Sequence, residues 1–287
     1  MDSKSFLIVG QANNNNPSIA KFDLEGNFHN DNSIAQKNWV PGLDIDLNKN
    51  IYLGTGRGEV IKLDENLNLI WKFLGHSKKV LSVAVDKNGN VYSAGDDKTV
   101  RKIDSNGNEL WVFLGHNSII WSISVDNFGN VYSSSSDGTL RKIDPNGNEL
   151  WKFTKHNSTI ISITIDNLGN IFTGGNDNTV RKIDLNGSQV WVFSGHSSVV
   201  LSVAVDKNSN VYSGNEDGII QKLDSNGNKI WSFKGHDNDV LSIVVDNFDK
   251  IYSTGGGGKI LKIDSNGNKI FNVYTTINKL RSLAITP

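Results

Sequence analysis

Residues 75–113 read GHSKKVLSVAVDKNGNVYSAGDDKTVRKIDSNGNELWVF, and this stretch decides the fold. After Gly75-His76 it passes through four short apolar segments, beginning at Val80, Val91, Val100 and Leu110. Each segment is rich in β-branched or aromatic residues and is bounded by Asp, Asn and Gly. Those boundary residues supply the positive φ angles and side-chain-to-backbone bonds of tight turns. Four strands of about six residues and turns of about four account for roughly 40 residues. No helix is left over, so the stretch is predicted to be a four-stranded antiparallel meander.

Outward from it the block repeats. His76, His116, His156, His196 and His236 fall 40 residues apart, and a constant period in this range marks units that cover their apolar faces only by stacking. The first-strand segment recurs at 40–45, 80–85, 120–125, 160–165, 200–205, 240–245 and 280–285. The last copy has no second, third or fourth strand after it. At the other end of the chain Phe6 to Val9, Ser18 to Phe22 and Phe28 onward read as those three strands with no first strand before them. The expected fold is therefore all-β: a seven-bladed β-propeller of four-stranded antiparallel blades, with the last blade closed by N- and C-terminal strands. An open solenoid would need caps, and the sequence offers none. The expectation is a single domain over residues 1–287, with the composite blade drawn from 1–32 and 277–287.

Composition narrows the function. With 29 basic against 30 acidic side chains, the chain has no net field to attract nucleic acid or an anionic membrane. Cysteine is absent, which excludes disulfides and thiolate sites. The apolar run after Met1-Asp2-Ser3-Lys4-Ser5 is too short for a signal peptide or a membrane span, so a cytoplasmic monomer is expected. Asn13 to Asn16, followed by Pro17, read as a solvated loop within the composite blade.

The pattern Gly-His, then Val-x-Ser-Val-Ala-Val, then Tyr-Ser-x-x-x-Asp-x-Thr-Val-Arg-x-x-Asp resembles the WD-repeat family of propellers over nearly the whole chain. In that family a His before the first strand, a Ser or Thr on the second and an Asp in the following turn share a hydrogen-bonded network. The resemblance implies networks of His76 with Ser93 and Asp97, His116 with Ser133 and Asp137, His156 with Thr173 and Asp177, and His196 with Ser213 and Asp217. The family's third-strand Trp is replaced by Ile103, Ile143, Ile183 and Leu223, while Trp71, Trp111, Trp151, Trp191 and Trp231 stand on the fourth strand. That placement is similar to quinoprotein-like propellers, and Val-Ala-Val-Asp-x-x-Gly-Asn-Val-Tyr is similar to the NHL repeat.

These histidines are read as structural. Equivalent loops of neighbouring blades lie about 10 Å or more apart, too far for shared ligation of a zinc ion at about 2 Å. A catalytic triad would stand once in a chain, with an oxyanion hole beside it, not in near-copies. Calcium is disfavoured in the turns such as Asp104-Ser105-Asn106-Gly107-Asn108, because Asn-Gly is itself a hairpin signal and the distal Glu of a calcium loop is missing. No metal or cofactor is expected. Lys21, Lys62, Lys102, Lys142, Lys182, Lys222 and Lys262 recur on the third strands, read as stems packed along the blade with the ammonium paired to a turn Asp. The network is given up in three adjacent blades: Gly257 faces His236, Gln36, Leu53 and Arg57 replace the triad of the first full unit, and Thr276 stands in the composite blade.

Two faces follow from the meander. One carries the near-invariant Asp/Asn/Gly hairpins. The other carries the histidine loops, which vary most, from Ser77-Lys78-Lys79 to Asp237-Asn238-Asp239 and Lys37-Asn38-Trp39. Just inside it, the second position of each inner strand gives Pro41, Leu81, Trp121, Ile161, Leu201, Leu241 and Arg281. With Trp39 this is a mostly apolar ring holding residue types common at binding hot spots. The expected function is a non-enzymatic scaffold that binds a protein or peptide over the histidine-loop face. The alternatives are a lectin-like or structural module, for example of a phage particle, and a quinoprotein- or lyase-type propeller enzyme.

Overall fold

The computed structural model describes residues 5–11, 19–32, 39–275 and 279–286. Seven four-stranded antiparallel sheets succeed one another along the chain. No helix among the described residues is long and apolar enough to cross a membrane. Blade 1 is the composite one, joining Phe6–Gln11, Ile19–Asp23 and Phe28–Asn32 to Leu280–Ile285 in the order tail strand, then first to third. Blades 2 to 7 begin with inner strands Gly42–Ile45, Val80–Val85, Ile120–Val125, Ile160–Ile165, Val200–Val205 and Val240–Val245. The strand expected from Val40 starts two residues later, at Gly42, because Pro41 has no N–H to give to a ladder.

Burial follows the radius. Second strands such as Val91–Gly95 are buried at every residue because both faces of the sheet are covered by neighbouring blades. Fourth strands such as Glu109–Phe113 alternate exposed and half-buried residues. The buried Tyr92 keeps its hydroxyl satisfied by donating to Asp86 Oδ2 at 3.2 Å, and Tyr52, Tyr132, Tyr212 and Tyr252 do the same with their own turn aspartates.

Blades are fastened to one another at two radii. Near the axis, the amides of Ile123, Ile163, Val203 and Ile243 donate to the hydroxyls of Ser82, Ser122, Ser162 and Ser202 on the preceding blade at 3.0–3.3 Å. Blade 2 has Gly42 at the serine position, where a Cβ would come within 2.8 Å of Ser82 Cα. There Asp44 substitutes, its Oδ2 accepting from Val85 N at 2.8 Å. At the rim, the indole N–H of Trp71, Trp111, Trp151, Trp191 and Trp231 donates to a turn carbonyl of the next blade at 3.0–3.2 Å. The ring itself lies on a turn glycine of positive φ: a Cβ on Gly107 would stand 3.2 Å from Trp71. Lys62, Lys102, Lys142, Lys182 and Lys222 reach the same carbonyls, and Lys21 and Lys262 reach the equivalent Glu65 O at 3.0 Å and Leu24 O at 2.9 Å. Their partner is thus a backbone oxygen on the next blade, not the expected turn carboxylate. Each ammonium also sits over an aromatic ring of its own blade, as Lys102 does over Tyr92 at 5.4 Å.

The ring is closed by strand pairing between the chain ends. Leu7 faces Ile285, Ile8 faces Ala284 and Val9 faces Leu283. Phe6 N donates to Thr286 Oγ1 at 2.7 Å, and Thr286 N returns a bond to Phe6 O at 2.9 Å. Removing residues 279–287 is expected to strip blade 1 of its inner strand and leave Leu7 and Val9 on an open edge. The cooperative transition in a circular-dichroism melt should vanish or the protein should elute as aggregate; an unchanged melt would rule out this closure.

Candidate functional site

The loop before each inner strand and the turn between second and third strands lie on one edge of the blade, so the repeat delivers His, Ser and Asp to one point. In blade 3, His76 Nδ1 lies 2.9 Å from Asp97 Oδ2 and Nε2 lies 2.8 Å from Ser93 Oγ. A carboxylate only accepts, so Nδ1 carries the proton and Nε2 accepts from the serine hydroxyl. Thr99 secures the aspartate by donating to Oδ1 at 2.9 Å. Burial raises the Asp97 carboxyl, but bonds from His76 and Thr99 outweigh it and hold the pKa at about 2. Blades 4 and 5 repeat the arrangement with His116, Ser133 and Asp137 and with His156, Thr173 and Asp177. Both of these carboxyls are likewise held low.

Blade 6 departs from the pattern. His196 Nε2 meets Ser213 Oγ at 2.7 Å, but the expected contact with Asp217 is not made. Asp217 is exposed and accepts instead from Ser197 Oγ at 2.6 Å. The cause is Ile219, which stands where Thr99, Thr139 and Thr179 fasten their aspartates; its amide is taken by Asn215 Oδ1 at 2.9 Å. That replacement was readable in the sequence. In blade 7 His236 bonds Ser253 at 2.8 Å and Gly257 supplies no carboxylate. His196 Nδ1 and His236 Nδ1 are both buried without a partner among the described residues. Burial pushes each imidazole down to about 4. Of the residues expected at the three degenerate blades, Gln36 and Thr276 lie outside the described residues, as do Lys37, Asn38 and Asn13 to Pro17.

The channel mouth is shaped by a repeated irregularity. In blades 3 to 7 the inner strand bulges at its second position, so that Val80 pairs with Gly95 and Ser82 with Ala94, while Leu81 is left over. The same shift in blade 1 leaves over Arg281. A bulge re-aims its extra side chain, and here it turns Leu81, Trp121, Ile161, Leu201, Leu241 and Arg281, with Pro41, onto a cup of about 180 Å³. Arg281 Cζ lies 5.0 Å from the Trp39 ring centre and 6.0 Å from that of Trp121. Trp121 donates to Ser136 Oγ at 2.7 Å, whereas Trp39 Nε1 is buried without a partner among the described residues. No carboxylate among the described residues forms an ion pair with Arg281. Burial lowers its pKa and the charge of Asp239 opposes this, yet a guanidinium stays charged.

Among the described residues no three His, Asp or Glu side chains stand together as a metal site. In the hairpins the Asp carboxylates are occupied by their own loops: Asp104 Oδ1 accepts from Asn106 N and Asn108 N at 2.9 and 2.8 Å. The sequence reading missed a carboxylate on an inner strand, Asp44, which stands where the other inner strands carry Ala, Ser, Thr or Val. Burial raises it to about 6.

A ring of repeated blades with His–hydroxyl–Asp networks defines a WD-repeat type of β-propeller. The sequence model of the IP5P C-F beta-propeller family matches overlapping stretches, residues 94–208 and 153–262, which together cover more than half of the chain. That of the WD domain, G-beta repeat, matches residues 67–104. The chain belongs to the IP5P C-F beta-propeller family and carries a WD repeat at residues 67–104; WD-repeat propellers are generally non-enzymatic and typically bind protein partners. No curated protein matches it.

Two pH effects are expected. Because His196 and His236 titrate near 4 when folded and 6.5 when free, the unfolded state binds more protons between those values and stability falls as pH drops through that window. The loss is about 3 kcal/mol per histidine at most. Equilibrium urea unfolding should show it, and His196→Gln with His236→Gln should flatten it; an unaltered slope would show that these imidazoles are not the source. Asp44 has the opposite sign, its raised pKa making folding weaker as pH climbs from 3.8 to about 6. Asp44→Asn should therefore raise the melting temperature at neutral pH and lose that advantage near pH 4.

Proposed function

We propose that the protein is an interaction scaffold that holds a protein or peptide partner over the histidine-loop face, at the mouth of the axial channel. The observation that carries this reading is Arg281, a desolvated cation laid against Trp39 and Trp121 with no carboxylate paired to it among the described residues. The partner-binding residues are those turned onto the cup, Pro41, Leu81, Trp121, Ile161, Leu201, Leu241 and Arg281, with Trp39 beside them. A partner that brings an acceptor oxygen to Arg281 and an apolar side chain to the cup would satisfy both. Aromatic and arginine anchors in a partly dry pocket are where binding energy concentrates.

The histidines support this surface without joining the chemistry. Three near-copies of one satisfied network hold the loops that rim the face, and a satisfied network gives no unique nucleophile. Replacing Trp39, Trp121 and Arg281 together by alanine should abolish affinity capture of the partner from the native source. The melting temperature should move by only a few degrees, since stacked cation–aromatic contacts are worth about 0.5–2 kcal/mol each. Undiminished capture by the triple variant would exclude this face.

A further inference from the structure

Arg281 is the exception in the ring at the channel mouth. The bulged position of the inner strand is apolar in blades 3 to 7 and is a cation only on the tail strand that closes blade 1. The bulged residue stands outside the pairing register, so the fold has no use for a charge there. A guanidinium carries five N–H donors, and Arg281 has no hydrogen-bond or ion-pair partner among the described residues. The carboxylate whose field reaches it, Asp239, is engaged elsewhere: Oδ1 accepts from Gly256 N at 2.8 Å and Oδ2 pairs with Lys279 Nζ at 3.1 Å. Beside Arg281 the buried indole N–H of Trp39 is a second donor without a partner among the described residues. Lys79 Nζ lies 5.3 Å from the same ring and reaches a carboxylate, Asp96, only at 3.8 Å. The mouth therefore collects donors and positive charge without the acceptor that would answer them.

Shape selects among acceptors. The cup is walled by inner strands on every side, and Arg281 is itself part of the wall. A segment that crosses the mouth can dip a side chain inside but leaves its backbone above the wall. The end of a chain can enter along the axis and bring a carboxylate and a side chain carried on one Cα. We propose, on the basis of the scaffold reading above, that the channel mouth receives the free carboxyl terminus of a partner polypeptide. The terminal carboxylate accepts from the planar fork of Arg281, which matches its two oxygens. The last side chain is apolar and lies among Leu81, Ile161, Leu201 and Leu241. Capture of a chain end by fixed donors is a recurring mode of peptide recognition.

The test is selection on the intact protein from a random octapeptide library fused to the C-terminus of a phage capsid protein, so that every displayed carboxyl end is free. Selected sequences should converge on an apolar last residue. Resynthesised with an N-terminal fluorophore, they should lose at least about tenfold in affinity by anisotropy when the C-terminus is amidated, and a comparable factor against Arg281→Leu. Leucine is the residue that blades 3, 6 and 7 carry at this position, and the amide comparison uses the unaltered protein, so neither arm hangs on the fold of a variant. Equal binding of acid and amide, a consensus built on an internal Asp or Glu, or no selectable peptide would overturn the proposal. Peptides that bind equally as amides yet are lost from the Trp39, Trp121 and Arg281 triple variant would overturn the chain end alone and leave the scaffold reading standing. Undiminished binding to the triple variant would remove both.

Discussion

A four-stranded blade has two apolar faces and can cover neither by itself, and the whole architecture answers that constraint by fastening every blade to the next. The fastening is not only hydrophobic. Serine hydroxyls near the axis take the amides of the following inner strand, and Trp and Lys at the rim meet a single carbonyl of the following turn. Dispersion and area burial are indifferent to small slips between sheets, whereas these directional bonds fix the offset of each blade on its neighbour. The Asn-Gly turn is bound into the same scheme. Its glycine bends the hairpin and also leaves the flat seat on which the neighbouring indole lies.

Exceptions to the scheme come in compensating pairs. Blade 1 has no fourth-strand Trp, and the turn it would have covered carries Leu67 at the glycine position, with φ of 69° and 1% exposure. Leu67 fills with its own side chain the place an indole fills elsewhere, accepting a backbone conformation that L-residues disfavour. Blade 2 lacks the inner serine, and Asp44 supplies an acceptor two residues further along the strand. Blade 7 has Phe271 in place of Trp, packed on Gly26.

Most of the fold was legible because strand pattern and turn chemistry are local and were sampled repeatedly: the seven inner strands, the composite blade and its closure by 280–285 all follow from the period. Relations between blades were less so. That Trp71 bonds Ser105, 34 residues on, or that Lys102 reaches Pro145 O, depends on how one sheet is laid on another, which periodicity does not specify. The histidine networks were readable through family resemblance; Ile219 in place of the threonine was visible in the sequence too, but its effect on His196 became clear only once Thr99 was seen to secure Asp97. The exposed apolar turn residues Phe128, Leu168 and Phe248 were overlooked because the turns around them looked alike; repetition drew attention to what recurs and away from the positions free to vary.

The pairing of Phe6 with Thr286 also orders events in time. During synthesis the first three strands emerge from the ribosome without the partner that covers Phe6–Gln11, and that partner, Leu280–Ile285, is translated only after the six blades between them. Those six blades can stack as they appear, but the nascent chain holds a strand edge unpaired until Leu280–Ile285 has emerged. For this fold, the native state cannot be completed before its seventh inner strand is made.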